Sequence, residues 1–176
     1  MEKKRATPVI KGLIICFILI LYGFVLYITE QYQNTLLNLL QYVILIGGVI
    51  WSCVYYAKQM DGNVTFGNVF AEGFKTTAFI AALMAVYTLV SVKFIFPEMI
   101  DKIAEATRKQ MEKDGKATDE QIKQGIEIMR KFFIPFAMGG ILLFFAIAGA
   151  IGSAIGAAIA KKNPSVNNPF DNPNFS

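Results

Sequence analysis

Residues 12–29 read GLIICFILILYGFVLYIT, eighteen positions without a charge. As a helix rising about 1.5 Å per residue, such a run nearly matches a hydrocarbon layer of about 30 Å. It follows the basic start MEKKR, and a basic leader before an apolar core is also how a secretory signal begins. A signal's core is usually only about 7 to 15 residues and ends at small residues. Here the run is longer and is followed by TEQYQN, so it predicts an uncleaved first span.

Three further apolar runs lie outward of it, at 36–57, 76–96 and 132–160. Together they account for a hydrophobic share of 55% in 176 residues, above that of an ordinary water-soluble domain. Lipid cannot satisfy backbone N–H and C=O groups, and none of the runs alternates as a strand would, so each predicts a helix. The fold class expected is all-α: an integral membrane four-helix bundle spanning residues 12–160, with a basic leader at 1–11 and a tail at 161–176.

Lys3, Lys4, Arg5 and Lys11 precede the first span, and the following loop, 30–35, holds no Lys or Arg. Basic residues favour the cytoplasmic side, which places both termini there, with Lys58 and Lys75 in the inner loop and Lys161 and Lys162 at the end of the last span. Residues 97–131, between the third and fourth runs, are the exception in composition. Eight acids and eight bases fall within them, and the same orientation puts them outside.

Helical spacing organises that charged stretch. Ile100, Ile103, Thr107 and Met111 recur along one face, Asp114-Gly115 offers a turn, and Ile122, Ile126, Met129 and Phe133 recur along a second face. A helical hairpin is expected. Thr118 and Gln121 fit a capping box, with Asp119 and Glu120 in the first turn where the helix dipole favours acids. Pairs four apart, Glu98 with Lys102, Glu105 with Lys109, Arg108 with Glu112 and Glu127 with Lys131, make a solvated face. Gly125 lies on the apolar face and points to close helix packing; Pro97 and Pro135 predict bends where the hairpin meets the spans.

This order of two spans, the loop DGNVTFGNVFAEGF, a third span, the hairpin EKDGKATDEQIKQGIEIMRKF and a glycine-rich last span resembles a bacterial family of small membrane proteins known as domain of unknown function 4199, met mainly in Bacteroidetes-type bacteria. The resemblance covers about Lys11 to Lys162. It implies an inner-membrane location, hence a periplasmic hairpin, and carries no activity or catalytic residues with it.

The inner loop has a turn signal at Asp61-Gly62, a capping Thr65, and an apolar stripe of Phe66, Val69, Phe70 and Phe74 beside Asn68, Glu72 and Lys75. An amphipathic entry to the third span is expected, acting as an interfacial anchor or, alternatively, as a lipid-headgroup or partner site. Gly62, Gly67 and Gly73 do not have the spacing of a nucleotide loop. In the last span Ala148, Gly152, Gly156 and Ala160 recur every four residues, a small-residue face on which helices approach closely. Packing against the chain's own spans is the expected use, and a homodimer contact the alternative.

Chemistry is mostly absent. Without histidine there is no Ser-His-Asp triad and no histidine metal ligand, and Cys16 and Cys53 alone make no zinc site. No acid or base falls in the middle of any run, which argues against proton-coupled transport; Lys93 is near the outer end of its run and can snorkel. Asn38, Gln41, Tyr87, Thr88 and Ser91 are the polar residues inside the second and third runs, expected to hydrogen-bond between helices or, alternatively, to line a small pore. The tail KKNPSVNNPFDNPNFS has three Asn-Pro pairs and no periodicity, as disordered segments do. The expected function is therefore non-enzymatic, without metal or cofactor: a structural or interaction protein in the bilayer that shows its hairpin to a protein partner. A small oligomeric channel or transporter is the alternative. A net charge of +4 spread over membrane ends and a balanced hairpin does not suggest nucleic acid.

Overall fold

The computed structural model describes residues 6–31 and 34–162. The leader bases Lys3, Lys4 and Arg5 and the tail from 163 onward lie outside the described residues. Among the described residues there are five α-helices and no strand: α1 (Pro8–Ile28), α2 (Thr35–Gln59), α3 (Phe66–Val90), α4 (Met99–Asp114) and α5 (Asp119–Ile159). A π-helical turn, Ser91–Ile95, extends α3. The four helices α1, α2, α3 and α5 are each long and apolar enough to cross a membrane.

Local chemistry sets the helix starts. Thr7 caps α1 by accepting from the Ile10 amide at 3.4 Å, and Pro8 follows with its φ already helical and no amide to satisfy. Asn34 caps α2 through the amides of Leu36 and Leu37 at 3.1 and 3.4 Å. Thr65 caps α3 through the amide of Asn68 at 3.2 Å. The turn before it runs through Asp61 and Gly62, both at positive φ (51° and 78°), a conformation Gly and Asp tolerate better than most residues.

The chain divides into two compact units, and α3 and α5 contribute to both. The first holds everything up to Leu83 and from Phe144 onward. Its contacts define an up-down-up-down bundle. Ile15 packs on Gly48, and the Tyr22 hydroxyl donates to the Leu37 carbonyl at 2.8 Å, so α1 and α2 are antiparallel. Gly12 meets Phe79 and the Cys16 thiol points to the Ile80 carbonyl at 3.9 Å, which makes α1 and α3 parallel. Tyr42 stacks edge-on against Phe145 while Gly156 lies on Cys53, which makes α2 and α5 parallel.

Polarity in this unit runs opposite to that of a water-soluble core. Lys11, Ser52, Thr76, Thr77 and Ser153 are buried, while Phe17, Ile28, Leu36, Phe144, Ile147 and Ile159 are exposed. A surface this apolar requires a hydrocarbon solvent, and lipid supplies it.

The second unit, Met84–Leu143, contains α4 and the start of α5. Gly115 ends α4 at φ 62°, the left-handed conformation that glycine adopts without a Cβ clash. The capping box then opens α5: the Thr118 amide donates to Gln121 Oε1 at 2.9 Å and the Gln121 amide to Thr118 Oγ1 at 3.4 Å. Asp101 and Arg130 close a 2.9 Å ion pair between the two helices, and Ala104 and Ile122 are buried. Along α4 and its preceding residue, Glu98 with Lys102, Glu105 with Lys109 and Arg108 with Glu112 pair at 3.9, 2.8 and 2.8 Å. The hydrogen bond from Lys109 and its adjacent charge hold the Glu105 carboxyl below its ordinary pKa. Thr118→Ala is expected to cost this helix pair about 1 kcal/mol. Urea unfolding monitored by a probe placed on α4 measures it, and an unchanged midpoint would show that the box contributes nothing.

α5 runs helical through Pro135, so the charged helix continues into the last span without a break. Proline removes one amide, the partner of the Lys131 carbonyl, and a helix extended on both sides can bear that loss. Pro97, by contrast, does sit at a break, after Phe96 leaves helical geometry at φ −133°. At Gly125 a Cβ would meet Met111 Cε at 3.9 Å, an ordinary contact, so close approach does not require glycine there.

Candidate functional site

The most distinctive chemistry lies inside the first unit. Lys11, on the second turn of α1, is 0% exposed, and its Nζ is 2.6 Å from Glu72 Oε1 on α3. The same ammonium donates to the Ser52 carbonyl of α2 at 3.4 Å and lies 5.5 Å from the centre of the Tyr56 ring. Its three N–H directions thus meet a carboxylate, a carbonyl and an aromatic face. The Glu72 side chain retains 12% exposure, so one edge of the pair reaches the surface.

Beside the pair, two buried hydroxyls satisfy one another and the α3 backbone. Thr76 Oγ1 donates to the Glu72 carbonyl at 2.9 Å and lies 3.1 Å from Ser52 Oγ. Since Thr76 has a single hydroxyl proton, Ser52 is the donor between the two hydroxyls. Removing Lys11 and Glu72 from water is expensive, and the cluster offsets this by pairing opposite charges and saturating the ammonium. Trp51 and Tyr55, on the chain beside Ser52, are exposed and stacked at 5.6 Å, as aromatic side chains are at the level of lipid headgroups.

α5 closes the site with small residues. A Cβ on Gly73 would lie 2.5 Å from Cys53 Sγ and 2.6 Å from Ser153 Oγ, and one on Gly149 would overlap Thr77. Ser153 Oγ is buried and has no hydrogen-bond partner among the described residues. Toward the other end of the unit the interior is apolar: Leu19, Leu45, Val49 and Ile80 are all fully buried.

Ala148, Gly152, Gly156 and Ala160 are all buried. Gly152 lies against the Ile46 carbonyl and Val49, and Gly156 against Cys53 and the Ile50 backbone, so α2 of the same chain packs on these two glycines. Asn38 and Gln41 are half-buried on α2 in the first unit. Tyr87 and Thr88, half-buried, and Ser91, buried, belong to the second unit, so the five polar residues do not form one cluster within either unit.

Sequence reading missed the Lys11–Glu72 pair by counting Lys11 as leader and Glu72 as the polar edge of an interfacial stripe. The signal was Thr7-Pro8, a cap and first-turn proline that start the helix before Lys11. A second small-residue row, Gly149, Ser153 and Ala157, runs beside the first and supplies the contact with α3.

Four membrane-length helices with a polar interior and an apolar exterior define an integral, multi-pass helical membrane protein. Residues 9–162 match the family model described as "Protein of unknown function (DUF4199)", and the chain belongs to that family. No curated protein and no solved structure matches it.

Proposed function

We propose that this chain is a non-enzymatic anchor of the bacterial inner membrane that presents the α4–α5 helix pair, on the periplasmic side, to a protein partner. Support comes from the pair's self-sufficiency: a capped start, a left-handed glycine stop and the Asp101–Arg130 tie maintain a defined, charge-balanced surface. The interior of the spanning unit agrees with an anchor. Its polar cluster gives way to a fully buried apolar layer of Leu19, Leu45, Val49 and Ile80.

Replacing residues 97–131 by a Gly/Ser linker is expected to abolish a crosslinked species formed by the wild-type chain in native membranes, while the spans still insert. An unchanged crosslinking pattern would overturn the reading.

The buried Lys11–Glu72 pair favours a second reading, a small ion-coupled transporter, because ionisable groups inside a bundle often serve ion movement. Liposome flux that is lost in Glu72→Gln and in Asn38→Leu/Gln41→Leu would select it over the anchor.

A further inference from the structure

Lys11 sits within reach of two different surroundings. Thr7, four residues before it, caps α1, so the start of the helix is about 6 Å away along the axis. Side chains on a helix lean toward its start, and the four-carbon stem of a lysine carries the ammonium in that direction. The end it would reach is polar. With its amide oriented to satisfy both groups, Gln59 at the end of α2 accepts from the Ala6 N–H at 2.6 Å and donates to the Ala6 carbonyl at 3.3 Å. Exposed Lys58, Asp61 and Lys161 belong to the same end of the unit.

Lys11 is nevertheless 0% exposed, and Glu72 is what retains it. Without the carboxylate the ammonium would keep the Ser52 carbonyl at 3.4 Å and the Tyr56 ring at 5.5 Å. One long hydrogen bond and an aromatic face offset only part of the solvation that burial removes from a cation. Where Lys11 rests therefore turns on the charge of Glu72. That acid is the accessible member of the pair: Lys11 takes Oε1, Oε2 has no hydrogen-bond partner among the described residues, and the side chain keeps 12% exposure. The elements packed here bring Lys11 from α1, Tyr56 and Cys53 from α2, and Ser153, which does not titrate, from α5; on α3 itself Lys75 is exposed.

We propose that Lys11 and Glu72 form a proton-operated latch: a proton on Glu72 Oε2 neutralises the acid, and Lys11 moves outward past it, freeing the start of α1 from α3. The movement relieves part of the cost of an unpaired buried cation. A metal cation would need several oxygens and would meet the ammonium, whereas a proton needs a single lone pair.

The test uses the full chain in detergent with its lysines labelled at the ε carbon, and reads the broadening of each lysine signal by a soluble gadolinium chelate. At about pH 7, Lys11 in the wild type should be broadened at least about tenfold less than exposed Lys75. Glu72→Gln, which imitates the protonated acid, should bring Lys11 to within about twofold of Lys75 while helix content stays that of the wild type. Acidifying the wild type through the ordinary glutamate range, to about pH 4, should produce the same rise without a substitution, and Glu72→Gln should show no such dependence. Ser52→Ala/Thr76→Ala removes the neighbouring hydroxyls but keeps both charges, and Lys11 should stay protected. A protected Lys11 in Glu72→Gln, or in the acidified wild type, would overturn the latch. So would equal exposure in Ser52→Ala/Thr76→Ala, which would mean that any loosening of the cluster releases the lysine.

Discussion

Lys11→Leu lowers the stability of the membrane bundle by about 3 kcal/mol, the loss typical of removing one partner from a buried ion pair. The substitution leaves the largely buried Glu72 carboxylate with no cation to balance it. Glu72→Leu has the complementary effect, leaving a fully buried ammonium. Lys11→Leu/Glu72→Leu recovers most of the loss, because desolvation disappears together with attraction. Thermal unfolding of the four proteins in one detergent gives the coupling directly. If the double variant is as unstable as the sum of the single ones, the pair is not a pair in energetic terms.

Gly156→Leu is expected to be as damaging for a different reason. A Cβ at that position would already lie 2.6 Å from Cys53 Cβ and 3.3 Å from Ile50 Cα, and backbone on the facing helix cannot rotate away. The α2–α5 seam must open, at a cost of about 3 kcal/mol or more. Gly139 provides the contrast, with nothing within 4 Å of its Cβ position. Gly139→Leu on the same helix should change stability by less than about 1 kcal/mol. Similar losses at both sites, read by the same unfolding assay, would refute the steric account.

The spans were legible because lipid imposes one strong requirement, a long apolar run, and four runs meet it. The turn at Gly115 and the capping box at Thr118 were legible because their chemistry is local. Pairing between distant residues was not. Lys11 and Glu72 each look ordinary in their own segment, and only the parallel packing of α1 on α3 joins them. The face of Gly152 and Gly156 was visible, yet four-residue spacing carries no information about which helix will lie on it; α2 does. Pro135 lies inside α5, where helix on both sides bears the loss of one amide.

Lys11 and Glu72 stand 61 residues apart in the chain. At about 5 to 20 residues per second, a ribosome makes the lysine roughly 3 to 12 s before its acid. During that interval the ammonium lacks its carboxylate, and a charge without its counter-ion is favoured at the water-facing edge. Full burial of Lys11 is thus expected only once the third helix has been made, so the ion pair ties the depth of the first helix to the arrival of the third.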